Sequence, residues 1–196
     1  MAAMQNSHRL SSAPAQTNIE AAQDALFELT YRAAAGRHIE EKHSLFAMEL
    51  GLPLREVTPS VGGYVRTYER GVICYQGGEA FAVHGAIYAK YDALGREGSL
   101  LGFPLADEAA AARGGRASWF EGGVICWTAA TGAHEVHGPI LALWQRLGAE
   151  GSYLGWPVSD ELPRGAGRVS FFEHGCIAWS EDGGAIDVPD LPEAAG

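Results

Sequence analysis

The tetrapeptide Leu101-Gly102-Phe103-Pro104 decides how the rest of this chain is interpreted, because it occurs three times. It recurs as Leu154-Gly155-Trp156-Pro157 and, more loosely, as Leu50-Gly51-Leu52-Pro53. A second motif, Phe120-Glu121-Gly122-Gly123-Val124-Ile125-Cys126-Trp127, has counterparts that begin at Tyr68 and Phe172. The copies are 51 to 53 residues apart. Motifs that repeat in one order at one spacing indicate tandem structural repeats.

The sequence pattern of each full repeat predicts the same secondary-structure elements in the same order. Ile87, Tyr91 and Leu94 have the spacing of one helix face, and Gly95 stands where that helix should end. Glycine and proline make the tetrapeptide a rigid turn. The alternating runs on either side of Glu121-Gly122-Gly123 then predict a β-hairpin, and a further short strand closes the unit. The sequence therefore predicts an α+β fold of three tandem repeats, each a short helix plus a β-hairpin.

The repeats divide the chain into segments. Residues 43–85 form a degenerate first repeat, residues 86–138 the second and residues 139–190 the third. Residues 18–42 are predicted to be a helical segment, in which a helix over roughly residues 18–35 has Ala22, Leu26, Leu29 and Ala33 on one stripe. A separate short helix over roughly residues 41–50 is predicted to begin the first repeat. We interpret the segment 18–42 either as a cap on the end of the array or as a helix that faces a partner or another copy. Residues 1–17 and 191–196 are predicted to be tails.

Composition and charge exclude several classes of function. The chain has 14 Lys and Arg against 24 Asp and Glu, a formal charge of −10, which repels nucleic acid and anionic lipid. No apolar run approaches the roughly 20 residues that cross a bilayer, so no membrane insertion is expected. The N-terminal residues lack the apolar core of a standard secretory signal. Three cysteines are too few for a disulfide framework.

The repeated motifs resemble those of the LGFP repeat family. The resemblance rests on the tetrapeptides, the Asp-Glu pairs that follow them and the aromatic hairpin, and it covers roughly residues 43 to 190. It implies a propeller-like packing of the repeats and binding to a bacterial cell-wall glycan such as arabinogalactan or peptidoglycan. It also implies a location in the cell envelope or outside the cell. Because a secretory signal is missing, a cytoplasmic or particle-associated location stays open.

Three groups of residues could carry chemistry, and we interpret each as structural. His134 and His137 are three residues apart on a predicted strand and so point to opposite faces, which disfavours a shared metal ion. Cys74, Cys126 and Cys176 share one strand face with Val and Ala, as small core residues do. The pairs Asp107-Glu108 and Asp160-Glu161 occupy one repeat position twice, which favours a bond from the Asp to nearby backbone over acid–base catalysis. The expectation is a protein with no catalytic residues, no metal and no cofactor.

Ligand binding is the function that the sequence favours. Aromatic side chains bind the apolar faces of sugar rings, and polar neighbours bind their hydroxyls. The leading interpretation is a lectin-like module for wall polysaccharide; the alternative is a protein-interaction or structural component of a larger assembly. The candidate ligand residues are Tyr75, His84, Trp127, His137 and Trp179.

Overall fold

The computed structural model describes the backbone of residues 13–189, with side chains from residue 18 onward. Helix α1 spans Ala13–Leu50 and is continuous except for non-helical backbone angles at Phe46 (φ −120°, ψ 21°). Residues 13–17, predicted to belong to a tail, are therefore helical; alanine and glutamine there favour a helix. The rest of that tail, residues 1–12, and the predicted tail 191–196 lie outside the described residues.

Each repeat forms one four-stranded antiparallel sheet in which strands adjacent in sequence are neighbours. Sheet 1 contains β1 Thr58–Ser60, β2 Gly63–Tyr68, β3 Gly71–Gln76 and β4 Glu79–His84. Sheet 2 contains β5 Ala109–Ala110, β6 Arg116–Trp119, β7 Gly123–Thr128 and β8 Gly132–His137. Sheet 3 contains β9 Leu162–Arg164, β10 Gly167–Phe172, β11 Gly175–Ser180 and β12 Gly184–Pro189. The predicted hairpins are confirmed, whereas the short edge strands β1, β5 and β9 were not predicted.

The two predicted short helices are also confirmed. Helix α2 spans Gly85–Leu94 and helix α3 spans Gly138–Leu147. Each ends at a glycine with left-handed backbone angles, Gly95 (φ 99°) and Gly148 (φ 112°). Left-handed angles cost glycine little, because it has no Cβ, and they turn the chain sharply toward the next tetrapeptide.

The tetrapeptide is both a turn and the edge of its sheet, where the sequence predicts a turn alone. Gly102 has a φ of 68°, and Pro104 forms an isolated bridge to Phe120. The Phe103 N–H donates to Glu121 Oε2 (2.9 Å), and a Cβ on Gly102 would overlap that oxygen. Glu69 and Glu173 accept the same bond in the other two repeats. The glutamate of the hairpin motif therefore fastens each tetrapeptide to its own sheet.

The repeats stack in tandem, and a helix separates each sheet from the next. Helix α2 contacts sheets 1 and 2, and helix α3 contacts sheets 2 and 3. The resemblance implied a propeller-like packing, but the three sheets follow one another in tandem and do not form a closed propeller. Helix α1 covers the outer side of sheet 1, where Ala35, Ile39 and Leu50 are fully buried. Within residues 13–189, no helix follows sheet 3.

Each sheet has two faces, because side chains alternate along a strand. We call the face toward the preceding helix proximal and the face toward the following helix distal. In sheet 1, Ile73 packs with α1 on the proximal face and Cys74 packs with α2 on the distal face. Cys126 is buried on the distal face of sheet 2, and Cys176 lies half-buried on that of sheet 3. Burial raises the pKa of the Cys74 and Cys126 thiols well above the ordinary value, so both remain protonated core residues.

Candidate functional site

Polar side chains converge where one repeat meets the next. At the junction of sheets 1 and 2, His84 ends β4 and immediately precedes helix α2. Glu108 follows the second tetrapeptide, Arg116 begins β6, and Trp127 lies near the end of β7. These four residues are called the first junction site. Two consecutive repeats build it together, since His84 comes from the first and the other three residues from the second.

A buried carboxylate organises the first junction site. The Glu108 side chain is 6 % exposed, and its Oε1 accepts a hydrogen bond from Arg116 Nε. The other oxygen, Oε2, lies 3.8 Å from His84 Nδ1. Arg116 and Trp127 are direct cross-strand partners, so the guanidinium and the indole share the proximal face of sheet 2. The carboxylate therefore holds a basic group on either side, next to an aromatic ring.

The first junction site opens into a cavity of about 250 Å³. Gly85, Ala86 and Ile87 at the start of α2 line it together with the four site residues. Its wall thus combines apolar surface with a carboxylate, a guanidinium and an imidazole. Small-molecule sites commonly have this composition, with a few polar groups among apolar ones.

The junction of sheets 2 and 3 repeats the arrangement. The equivalent residues His137, Glu161, Arg168 and Trp179 are called the second junction site. Arg168 Nε donates to Glu161 Oε1, and His137 Nε2 lies 3.4 Å from the same oxygen. Arg168 is opposite Trp179 in the pairing of β10 with β11. The Glu161 side chain is buried, like that of Glu108.

The second junction site has one more carboxylate than the first. Glu135 is buried on β8 at the position that Ala82 occupies in β4. Its Oε2 lies 2.7 Å from His137 Nδ1, and its Oε1 accepts from the Glu161 N–H (3.0 Å). The hydrogen bond to Glu135 and the negative charges of Glu135 and Glu161 raise the pKa of His137. Glu161 Oε2 is buried and has no hydrogen-bond partner among the described residues.

The aspartates beside these glutamates join consecutive repeats. Asp107 Oδ1 accepts from the Ala82 N–H on edge strand β4 (2.9 Å), and its Oδ2 accepts from Lys42 Nζ of α1 (2.6 Å). Asp160 bonds Lys90 Nζ of α2 (2.7 Å) in the same way. Burial acts to raise the pKa of Asp160, but the hydrogen bond and charge of Lys90 outweigh it and lower the pKa. The aspartates thus bind backbone, as predicted, but the backbone belongs to the preceding repeat.

The equivalent aspartate–backbone contact of the second junction involves Asp160 Oδ1, which lies 3.3 Å from the Glu135 N–H and from His134 Nδ1. His134 aligns with the apolar residues Phe81 and Ile186, yet its ring is held by polar partners. Among residues 18–189, no three His, Cys, Asp or Glu side chains are grouped as metal ligands. In the same part of the chain, no helix has the length and apolar character needed to span a bilayer.

The structure places four of the five sequence-predicted ligand residues in the junction sites, as two pairs, and leaves the fifth apart. His84 and Trp127 come together in the first junction site, and His137 and Trp179 belong to the second. Tyr75 is not in such a site: it is buried beneath α1, and its ring lies 5.4 Å from that of Tyr31, centroid to centroid. The buried tyrosine occupies the repeat position that the two tryptophans fill elsewhere.

Sequence reasoning missed the two arginines and assigned no ligand role to the two glutamates. Arg116 and Arg168 are 52 residues apart, and Glu108 and Glu161 are 53 apart, so the repeat spacing marks them as equivalent. A charged residue kept at one repeat position is the signal that could have found them. Their meeting with histidine is a contact between repeats, which the order of residues along the chain does not reveal.

Comparison with protein families matches the LGFP repeat model three times, at residues 50–99, 101–152 and 154–191. The matches begin at the three tetrapeptides and cover most of the chain, so this protein belongs to the LGFP repeat family. The comparison with curated proteins found no match.

Proposed function

We propose that this chain is a non-catalytic, lectin-like module that binds bacterial cell-wall polysaccharide through its two junction sites. The observation that supports this proposal is the recurrence of one set of residues, a His, a Glu, an Arg and a Trp, at both junctions. A polysaccharide presents the same sugar unit many times. A protein with equivalent sites in tandem gains avidity on such a ligand even when each site is weak.

The chemistry of each site suits a sugar. The half-buried indole of Trp127 or Trp179 offers an apolar platform for the C–H face of a pyranose or furanose ring. The Arg116 and Arg168 side chains are about two-fifths exposed, and their guanidinium N–H groups can donate to ring hydroxyls. The carboxylates keep the guanidinium groups in place beside the indoles.

Co-sedimentation with insoluble, purified cell-wall polysaccharide tests the proposal. We expect Trp127→Ala or Trp179→Ala to weaken retention, and the double variant to abolish it, since each change removes the platform of one site. Trp119→Ala is the matched control, because Trp119 is the most exposed tryptophan (37 %) and lies on the distal face of sheet 2, away from both sites. Circular dichroism should show the same fold for all four proteins.

Two results would count against glycan binding. Retention that survives in the folded double variant would mean that the junction sites are not responsible. Failure of the wild-type chain to bind arabinogalactan, peptidoglycan or whole walls would remove the function itself. We also propose that the protein acts in the cell envelope or outside the cell, where such glycans occur.

The second candidate function is that of an interaction component in a larger protein assembly. One observation favours it: large apolar side chains on the N-terminal half of α1 are exposed to solvent, among them Leu26 (64 %) and Leu29 (66 %). Soluble proteins rarely expose contiguous apolar surface without a partner. Absence of glycan retention together with a stable protein complex would favour this function over the first.

A further inference from the structure

The distal face of sheet 3 is an uncovered apolar surface. Its side chains come from all four strands, and four large apolar ones are exposed: Leu162 (44 %), Phe171 (42 %), Ile186 (57 %) and Val188 (44 %). Cys176 and Ala178 lie between them on the central strand β11. Such a patch on a sheet marks an interaction site more often than an accident of packing.

The first two sheets show what this face is built to accept. On sheet 1 the equivalent distal residues Val72 and Val83 are fully buried with Ile87 and Tyr91 of α2. On sheet 2 the distal residues Val124 and Val136 are fully buried with Ile140 and Trp144 of α3. In both cases the cover is a helix that presents large apolar side chains four residues apart. Sheet 3 has the same apolar face and, within residues 13–189, no helix after it.

A helix with an unused apolar stripe lies at the other end of the molecule. The stripe on α1 consists of Ile19, Ala22, Leu26, Leu29 and Ala33, all exposed. With 3.6 residues per turn, these positions lie on the side of α1 opposite to Ala35 and Ile39, which pack on sheet 1. The stripe therefore remains accessible while α1 covers its own sheet.

We propose that the α1 stripe of one copy covers the distal face of sheet 3 in a second copy. The contact would continue the internal pattern of the array, in which a helix covers every distal face. The inference is independent of glycan binding, because neither surface contains a junction-site residue.

The contact joins two different surfaces and is therefore heterologous. Each copy that binds through its stripe still offers its own sheet 3 to a further copy, so association gives a chain of molecules or a closed ring. Repeated junction sites along such an assembly would multiply the avidity for a polymeric ligand. Residues 190–196 are a weaker candidate cover, since Leu191 is the one large apolar side chain they contain.

Sedimentation velocity of the full chain, over a range of protein concentrations, tests the association. We expect the wild type to form dimers and larger species as concentration rises. Leu26→Lys and Ile186→Lys should each abolish them, because each places a charge in the contact. Ala21→Lys, on α1 but off the stripe, and Ile186→Val, which keeps the face apolar, are the matched controls and should associate like the wild type.

Mixing the two defective variants identifies which surfaces meet. The Leu26→Lys chain keeps an intact sheet face and the Ile186→Lys chain keeps an intact stripe, so the mixture should form a one-to-one dimer that grows no further. A wild-type chain that stays monomeric at every concentration would overturn the proposal. Association of Ile186→Lys alone would also overturn it, because the stripes would then pair with each other.

Discussion

The contact between α1 and sheet 1 differs from the two junctions between consecutive repeats. Under α1, Tyr64, Tyr75 and Val57 occupy the positions that Arg, Trp and Glu occupy at both junction sites. Tyr64 and Tyr75 are buried there in an aromatic cluster with Tyr31 of α1. An apolar set is therefore sufficient to join a helix to the proximal face of a sheet. The polar set at the junctions is not required for packing, which is the reason to seek a ligand for it.

The largest effect should come from removing the apolar contact under α1. Ile39→Ala deletes a fully buried side chain between α1 and sheet 1 and should lower the free energy of unfolding by about 2–5 kcal/mol. Arg168→Lys keeps a positive charge beside the buried carboxylate of Glu161 and changes only a partly exposed side chain of the second junction site, so it should lower the free energy of unfolding by about 1 kcal/mol or less. Urea denaturation measures both. Equal losses would contradict the distinction between an apolar cover and a polar site.

The contacts that all three repeats share should respond alike. Gly102→Ala and Gly155→Ala each force an alanine into left-handed backbone angles and push its Cβ into a glutamate carboxylate. Each should therefore lower the free energy of unfolding by about 1–3 kcal/mol. Gly77→Ala is the matched control: it also has a positive φ (61°), but a Cβ there meets no atom within 4 Å. Its smaller loss would isolate the backbone strain from the collision. A loss at Gly77 as large as at Gly102 would mean that the glutamate contact is unimportant.

A smaller effect is expected where consecutive repeats are joined by charge. Asp160→Asn keeps an acceptor for the Glu135 N–H but removes the ion pair with Lys90, and should cost up to about 1 kcal/mol. Glu56→Gln changes the corresponding, exposed position of the first repeat and should stay within about 0.5 kcal/mol of the wild type. Thermal denaturation at low and high salt checks the pair. High salt should lower the thermal stability of the wild type more than that of Asp160→Asn, because only the wild type has the ion pair that salt screens.

The smallest expected effect is a pH dependence of the free energy of unfolding that arises at the second junction site, which contains Glu135. Glu135 raises the pKa of His137 in the folded state, so protonation of His137 stabilises the fold below its ordinary pKa of about 6.5. That contribution should disappear as the pH rises through the raised pKa. Glu135→Gln should remove this pH dependence, whereas Ala82→Gly, at the same position of the first repeat, should not. Urea denaturation at a series of pH values on both sides of 6.5 measures the difference, and an unchanged pH profile in Glu135→Gln would contradict it.

Periodicity made much of the fold predictable. The apolar spacing of Ile140 and Trp144 and the glycine after Leu147 define α3, and the turn glycines define the hairpins. The edge strand β5 could not be predicted, because Ala109 and Ala110 are exposed and show no alternation. The single long α1 was predicted as two helices, since the residues between them have no common apolar face until sheet 1 supplies a partner.

The candidate site was half predictable for a related reason. The aromatic and histidine positions repeat visibly along the chain, so Trp127, Trp179 and His137 could be selected. The pairing of Arg116 with Glu108 exists only after the second repeat has folded. The contact of Glu161 with His137 exists only after two consecutive repeats have stacked. Tyr75 was selected because it aligns with the tryptophans, but the burial that separates it from them depends on α1.

The most direct measurement is the response of the five tryptophan indole N–H signals in a two-dimensional NMR spectrum during titration with soluble cell-wall glycan fragments. The junction sites lead us to expect that the Trp127 and Trp179 signals shift together and saturably. The signals of Trp119, on the opposite face, and of the buried Trp144 and Trp156 should stay in place. If no indole signal shifts, or if Trp119 alone responds, the polar junctions are not the glycan sites and the central claim is wrong.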